Sequence, residues 1–190
     1  MVQQPTQTRI NASDYYALPS YQEHDLIQLI AGEVVIGMPP ILKHQTIVGE
    51  ILFLLMTVAR KLGGKAFTSP IEVRLDDNNV FQPDVLYIKP ENLAITQQDD
   101  KRIVGAPDLV VEVLSPGTAK YDRQEKYQAY EANGVGEYWI VDPVYETIEV
   151  WTLTENGQFD RQGVYARADT FSSRTLGEDI TAESVFGAAG

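Results

Sequence analysis

The chain has 190 residues, of which 44% are hydrophobic and 22% are charged, and it has no cysteine. This length and composition fit one globular domain and exclude disorder throughout, a disulfide framework and a thiolate metal site. The formal net charge of −12 excludes a broad basic surface for nucleic acid. Any site for a polyanion must therefore be local, and a bound cation would help to create it.

Two further features bear on location and domain organisation. We find no apolar run of the about 18 residues that a membrane span needs, and the polar N-terminus lacks the apolar segment of a signal peptide. Both observations lead us to expect a cytoplasmic protein. We find no internal repeat and no linker, so we expect residues 1–190 to form a single domain, with residues 1–13 as a loose lead-in.

The first half of the chain alternates β-type and helical patterns. β-branched residues on both sides of Ala31-Gly32 indicate a hairpin, and a stripe of apolar residues that ends at Gly63-Gly64 indicates a long helix. The predicted elements are, in order, a hairpin at 26–36, a helix at 44–62, strands at 66–75 and 80–88, and a surface loop with little regular structure at 89–107.

The second half begins with an almost wholly apolar run that predicts a central, buried strand. A helix and another strand follow closely, so the two strands should be parallel and joined by a right-handed crossover. Asn156-Gly157 indicates a tight turn between two later strands. The predicted elements are a strand at 108–114, a helix at 118–133, a strand at 137–141 and a hairpin at 148–165; residues 171–190 are ambiguous.

Two acidic residues lie where a carboxylate is costly to bury without a partner. Asp84 precedes an apolar strand, and Glu112 lies inside one. If the strands are neighbours, the two acids could hold a divalent cation at the edge of the sheet, together with the backbone carbonyl of Val113. Mg²⁺ prefers such hard oxygen ligands and keeps some of its waters. A bound ion of this kind polarises a phosphodiester and lowers the pKa of an attacking water.

A purely structural interpretation of the same acids stays open. In it, Glu112 pairs with Lys126 or with a buried tyrosine, and Asp84 caps a turn. Lys126 and Asp122 are four residues apart, so they share one face of the predicted helix. If that face looks back at the strand ends, Lys126 would stabilise negative charge. For Asp122 the spacing favours an exposed helix pair, worth only about 0.3–0.5 kcal/mol.

Two more polar residues, Glu33 and His44, have weaker claims as neighbours of the site. Glu33 follows the hairpin turn, and His44 starts the long helix, where a histidine is usually a surface or capping residue. Trp139 and Trp151 lie in strand patterns and are most simply core residues.

In their order along the chain, these residues resemble the Uma-type family of putative restriction endonucleases, part of the PD-(D/E)XK nuclease superfamily. The resemblance spans roughly residues 14–143 and is fainter beyond. It is carried by Gly32-Glu33, His44, Pro83-Asp84-Val85, residues 107–116, Asp122, Lys126, Tyr130 and residues 134–143.

The resemblance implies an α/β fold with a restriction-endonuclease-like core of helix, three strands, helix and strand, with added N-terminal and C-terminal hairpins. It also implies Mg²⁺-dependent phosphodiester hydrolysis, with Asp84 and Glu112 as ligands and Mn²⁺ as a substitute ion. One position departs from the superfamily pattern, because Leu114 stands where a catalytic lysine is usual. Lys126 on the following helix is the candidate replacement.

The leading hypothesis is therefore a Mg²⁺-dependent endonuclease that acts on DNA, with Asp84, Glu112 and Lys126 as catalytic residues. The acidic net charge opposes tight nonspecific binding to DNA. Two alternatives stay open: a non-catalytic scaffold that kept the fold, and a hydrolase of small phosphoesters. Edge strands that could pair between copies also lead us to expect a homodimer.

Overall fold

The computed structural model describes residues 9–187. The end of the predicted lead-in, residues 12–13, belongs to the first short helix, where the side chain of Asn11 accepts a hydrogen bond from the backbone N–H of Asp14. Residues 1–8 of that prediction lie outside the described residues. The elements up to the long helix are α1 (Ala12–Tyr16), α2 (Pro19–Glu23), β1 (Ile27–Ile30), β2 (Glu33–Ile36) and α3 (Leu42–Leu62).

The middle of the chain is more divided than the sequence pattern predicts. Each of the two predicted strands at 66–75 and 80–88 is split in two, and the halves lie in different sheets. The predicted loop at 89–107 contains a 3₁₀ helix and a strand. The elements are β3 (Lys65–Thr68), β4 (Glu72–Arg74), β5 (Val80–Phe81), β6 (Val85–Ile88), the 3₁₀ helix Pro90–Thr96, β7 (Arg102–Val104) and β8 (Leu109–Val113).

The last part of the chain confirms the predicted strand at 137–141 and the hairpin at 148–165. The predicted helix at 118–133 is broken at Gln124, where the backbone leaves helical geometry. The elements are α4 (Ala119–Arg123), α5 (Glu125–Asn133), β9 (Glu137–Asp142), β10 (Thr147–Leu153), β11 (Phe159–Ala166), β12 (Thr170–Ser173), β13 (Glu178–Thr181) and α6 (Glu183–Phe186).

A six-stranded sheet forms the centre of the structure, in the order β11-β10-β9-β8-β6-β3. Strands β8 and β9 are parallel, as predicted for a strand-helix-strand crossover, and β6 is antiparallel to β8. All five residues of β8 are buried, because helices cover the sheet on both faces. This is the α/β arrangement that the sequence resemblance implies.

The two faces of this sheet have separate apolar cores. On one face α3 packs its buried stripe, including Ile47, Ile51 and Leu55, and the C-terminal β12, β13 and α6 join it there. On the other face α5 packs through Ala129 and Tyr130. Alternation along a strand sends successive side chains to opposite faces, so Val111 faces α3 whereas Val110 faces α5.

A second, five-stranded sheet in the order β2-β1-β5-β4-β7 lies beside the first. Each of the split strands connects the two sheets, since β3 and β6 belong to the larger sheet and β4 and β5 to the smaller one. The remaining strands, β12 and β13, form a separate hairpin. The smaller sheet contains the added N-terminal hairpin of the predicted fold, which is formed by β1 and β2.

Helix α3 has the length and hydropathy that a membrane-spanning helix also has. One stripe of its apolar residues, however, packs against the sheet, and the helix ends at Gly63 in the left-handed conformation. These properties are those of a core helix in an α/β domain.

Candidate active site

Strand pairing brings the two predicted acids face to face. Val85 of β6 pairs with Val111 of β8, and continuing this antiparallel register by one residue sets Asp84 across from Glu112. Directly opposed residues of antiparallel strands have Cβ atoms about 4.5–5.5 Å apart. The two acids are therefore neighbours in space although they are distant in the chain.

Asp84 lies just before β6, and its side chain accepts a hydrogen bond from the backbone of the neighbouring strand β8. Its Oδ2 accepts a hydrogen bond of 2.7 Å from the backbone N–H of Val113, and Thr68 donates to its backbone carbonyl. The side chain of Asp84 keeps 19% of its surface exposed. These contacts fix the carboxylate at the C-terminal end of β8 while leaving it open to solvent.

His44 contacts Asp84 and is not the surface residue that its helix position suggests. Its Nε2 lies 3.3 Å from Asp84 Oδ2, and the side chain is buried at the first turn of α3. Burial by itself lowers the pKa of His44, but the hydrogen bond and charge of Asp84 outweigh this effect and raise the pKa above its ordinary value. His44 therefore favours its charged form beside the carboxylate.

Glu112 is 3% exposed and has two partners on α5. Lys126 Nζ lies 2.9 Å from Glu112 Oε1, and the hydroxyl of Tyr130 donates to the same oxygen at 2.6 Å. Burial raises the pKa of Glu112 to about 8, and nearby Asp122 and Asp84 add to the rise, although Lys126 opposes it. At neutral pH this carboxyl group tends to keep its proton.

Asp122 and Lys126 form a buried ion pair, which corrects the prediction of an exposed pair. Lys126 Nζ is 3.1 Å from Asp122 Oδ1, and the two side chains are 2% and 1% exposed. Burial would lower the pKa of Lys126, but the carboxylates of Asp122 and Glu112 outweigh it and raise the pKa above its ordinary value. The break at Gln124 lets α4 and α5 each direct one partner at the sheet.

The oxygens that remain free show what the site could hold. Asp84 Oδ1 and Glu112 Oε2 accept no hydrogen bond from residues 9–187, whereas the other oxygen of each acid is occupied. Three carboxyl groups share this region with one lysine and one histidine. When Glu112 also loses its proton, the three carboxylates exceed the charges of Lys126 and a protonated His44 by one, and a bound cation would offset that excess.

A divalent cation fits this donor set. Two free carboxylate oxygens and the carbonyl of Val113, which neighbours His44, are hard oxygen donors of the type that Mg²⁺ prefers. Within residues 9–187 no group of three or more His, Asp or Glu side chains is arranged to hold a metal. The ion would therefore keep several waters, as Mg²⁺ commonly does.

Two comparisons with known proteins bear on the family and the fold of the chain. The profile of the Uma2 family, described as "Putative restriction endonuclease", matches residues 12–183. The chain belongs to the Uma2 family. A crystal structure of a putative nuclease belonging to DUF820 from Anabaena variabilis has a similar fold, with a TM-score of 0.75 over 93% of this chain and 97% of that chain. The sequence identity is 18%, so this likeness shows the fold alone. A search of curated proteins found no match.

In this Uma2 family member, the structure brings together most of the predicted site residues. Asp84, Glu112, Lys126, Asp122 and His44 are linked by the contacts described above, and Val113 supplies the N–H to Asp84. The structural interpretation of the sequence predicted that Glu112 pairs with Lys126 or with a buried tyrosine, whereas the catalytic interpretation predicted only that Lys126 approaches the acids. The contacts of Glu112 therefore agree with a structural role as well as with a catalytic one.

Two residues were assigned differently by the sequence and by the structure. Glu33 pairs with Ile30 in the smaller sheet, and among residues 9–187 it is no partner of the acids in any hydrogen bond or ion pair. Tyr130, which carries part of the family resemblance but received no role in the predicted site, donates directly to Glu112. The available signal was its spacing of four residues from Lys126, which places both on one helix face.

Proposed function

We propose that this chain is a Mg²⁺-dependent endonuclease that hydrolyses phosphodiester bonds in DNA, with Mn²⁺ as a substitute ion. One observation carries the proposal: the register of β6 and β8 sets Asp84 across from Glu112, and each acid has one oxygen that accepts no hydrogen bond from residues 9–187. A carboxyl group that served stability alone would be expected to have both oxygens satisfied, because a buried polar atom without a partner is costly.

Asp84, Glu112 and the Val113 carbonyl would hold the metal. The bound ion would polarise the phosphodiester and lower the pKa of an attacking water.

In this proposal Lys126 takes the part of the lysine that is missing at Leu114. Its ammonium group contacts Glu112 from α5, and Asp122 holds it from a second side. The carboxylates of Asp122 and Glu112 raise the pKa of Lys126 above its ordinary value, so Lys126 is cationic at neutral pH. A fixed buried cation stabilises negative charge that develops on a phosphoryl group more strongly than an exposed one would.

The net charge of −12 opposes long-range attraction to duplex DNA. This observation favours a second candidate, a hydrolase of small phosphoesters, which would use the same residues. A non-catalytic scaffold is the third outcome, and in it the buried contacts of Glu112 serve stability alone.

The proposal is tested by comparing metal binding and cleavage between the wild type and the Asp84→Ala variant. Titration calorimetry with Mn²⁺ and Mg²⁺ should show binding to the wild type and a loss of affinity of at least about tenfold in the variant. Cleavage of duplex DNA, single-stranded DNA and a small phosphodiester should disappear with it. The matched control is Asp100→Ala, which removes an exposed carboxylate outside the site.

The outcomes separate the three candidates. Cleavage of the small ester but of neither DNA would favour the small-phosphoester hydrolase. Equal metal affinity in the wild type and Asp84→Ala, without cleavage, would leave the scaffold.

The homodimer and the cytoplasmic location stay predictions. The strand β11 at one edge of the larger sheet carries Asp160, Arg161 and Gln162 on its exposed positions. Charged edge strands resist pairing with a second copy, so a dimer would use another surface. Exposed apolar residues are available around the start of α3, where Ile41 and Leu42 are more than half exposed.

A further inference from the structure

A cleft lies on the same face of the larger sheet as the carboxylate pair. Glu112 of β8 pairs with Ile140 of β9, which pairs in turn with Glu149 of β10. Because adjacent strands are about 4.8 Å apart, Glu149 lies roughly 10 Å from Glu112 along this row. The cleft has a volume of about 310 Å³ and is lined by Arg123, Tyr127, Ile140, Glu149 and Trp151.

The helices that build the active site also build this cleft. Asp122 and Lys126 point at Glu112, and the residue after each of them, Arg123 and Tyr127, lines the cleft. Successive residues of a helix point about 100° apart, so one pair of helices serves both places. A ligand in the cleft would therefore lie next to the site along the sheet.

The cleft combines aromatic surface with cationic groups. The rings of Tyr127 and Trp151 meet edge to face with centroids 4.9 Å apart. The indole Nε1 of Trp151 is buried and has no hydrogen-bond partner among residues 9–187. An unpaired buried donor is costly, and a ligand acceptor would recover that cost. Trp151 is thus not the simple core residue that its strand pattern suggests, whereas Trp139 is fully buried.

Two arginines converge on a single carboxylate at the cleft. Arg123 Nη1 lies 2.7 Å and Arg161 Nη1 3.7 Å from the oxygens of Glu149, and the guanidinium of Arg161 lies 5.9 Å from the ring of Trp151. The arginine side chains are 44% and 56% exposed, whereas that of Glu149 is 14% exposed. This cluster has a positive charge in excess, in a chain whose net charge is −12.

We propose that the cleft binds one nucleotide of a single-stranded nucleic acid, next to the phosphodiester that is cut at Asp84 and Glu112. The base packs against Trp151 and Tyr127. A phosphate group binds Arg123 and Arg161 and replaces Glu149 as their ion-pair partner. Stacking on aromatic side chains and arginine contacts to the backbone are how proteins bind single strands. In duplex DNA the base is stacked and paired, so it cannot enter a cleft of this size. This inference deepens the proposed function and depends on it for the substrate class.

Binding without cutting tests the cleft separately from catalysis. The probe is a fluorescein-labelled single-stranded DNA of about 12 nucleotides, titrated in EDTA and followed by anisotropy. Arg123→Gln and Trp151→Ala should each weaken binding at least about fivefold. Glu149→Gln should tighten binding roughly two- to fivefold, because it frees both arginines. Arg74→Gln is the matched control, since Arg74 pairs with Asp77 in the smaller sheet, and its affinity should not change.

The predicted changes in affinity have opposite signs for the arginine and glutamate variants. This keeps the test independent of folding, because a misfolded Glu149→Gln protein would not bind more tightly. Tryptophan fluorescence adds a second readout, since the chain has two tryptophans. The oligonucleotide should quench the fluorescence of the Trp139→Phe variant, which retains Trp151, and should leave the fluorescence of the Trp151→Phe variant unchanged.

Weaker or unchanged binding by Glu149→Gln, or no binding by the wild type, would overturn the inference. Cleavage of duplex DNA in that case would leave the proposed function standing. Binding with the expected pattern but without any cleavage would support the cleft and count against the nuclease.

Discussion

Within residues 9–187, the buried clusters around Glu72 and Glu112 have similar compositions but differ in how their charges balance. In the smaller sheet, Glu72 accepts hydrogen bonds from Tyr15 at one oxygen and from Tyr21 at the other, and Arg102 Nε lies 3.4 Å away. The guanidinium of Arg102 also stacks over the ring of Tyr16. Every oxygen of this glutamate therefore has a partner within the protein.

The cluster in the larger sheet has the same kinds of group, but among residues 9–187 Asp84, Glu112 and Asp122 each keep an oxygen with no hydrogen-bond or ion-pair partner. Glu112 also has a cation and a tyrosine, yet Asp84 and Asp122 add two further carboxyl groups beside a single lysine. A buried carboxylate with all its partners ties elements together, as Glu72 ties α1 and α2 to β4. Carboxylates in excess, with open oxygens, are a better guide to a metal site than burial or pKa alone.

Exchanging the two glutamates for glutamine should give the largest contrast. Glu112→Gln removes a proposed metal ligand, so we expect metal-dependent cleavage to fall at least about 100-fold. Glu72→Gln should leave the cleavage rate of the folded protein within about twofold, while lowering the free energy of unfolding by about 1–3 kcal/mol. Oligonucleotide cleavage and urea denaturation, measured on both variants, check this.

If Glu72→Gln lost as much cleavage as Glu112→Gln while remaining folded, the distinction between the two clusters would be wrong. Glu72→Asp serves as a control that keeps the charge.

Asp122→Asn should have a smaller effect, because Asp122 positions Lys126 and would not hold the metal. We expect cleavage to fall by roughly 10–100-fold, with Mn²⁺ affinity changed by less than about threefold. Removing this carboxylate also lowers the pKa of Lys126, so the alkaline limb of the pH–rate profile should move to lower pH. Asp99→Asn, next to Arg102 in the other cluster, is the matched control.

A role limited to folding would predict a different result for Asp122→Asn. The variant would then be less stable, but its pH–rate profile would keep the wild-type shape.

The smallest effect is a dependence of stability on pH. In the folded chain the pKa of Glu112 is raised from its ordinary value of 4.5 to about 8, so Glu112 keeps its proton to a higher pH than it does in the unfolded chain. Between these pH values the folded state binds more protons than the unfolded state, so the contribution of Glu112 to the free energy of unfolding falls as pH rises. The slope is at most about 1.4 kcal/mol per pH unit.

Urea denaturation of the metal-free wild type and Glu112→Gln, from pH 5 to pH 8, measures this slope. The difference in stability between the two proteins should decline as pH rises. A difference that stays constant, or grows, would show that Glu112 is ionised throughout.

Part of the site was predictable because the sequence itself shows the cost of burial. Glu112 stands among apolar residues, and Asp84 starts an apolar strand, so both were identifiable as acids that need a partner. The spacing of Lys126 and Asp122 predicted that they share a side, but spacing carries no information about exposure. The break at Gln124, and the docking of both short helices on the sheet, bury a pair that periodicity assigned to solvent.

The fold was predictable to a similar extent. Hydrophobic periodicity predicted the long helix, the strand-helix-strand order predicted that β8 and β9 are parallel, and Asn156-Gly157 predicted the hairpin of β10 and β11. It did not predict that the strand patterns at 66–75 and 80–88 each divide between two sheets, since an apolar run looks the same whichever sheet it enters. Strand β7 was missed because its three residues are too few to show a period.

The sequence by itself determined which residues must be buried and which acids would be expensive to bury, because both depend on side-chain chemistry and local spacing. Only the tertiary structure decided that Asp84 meets Glu112, that Lys126 and Asp122 turn inward, and that Glu33 lies elsewhere. Those outcomes depend on strand register and on which helix face docks, and both are set by contacts between residues that are far apart in the chain.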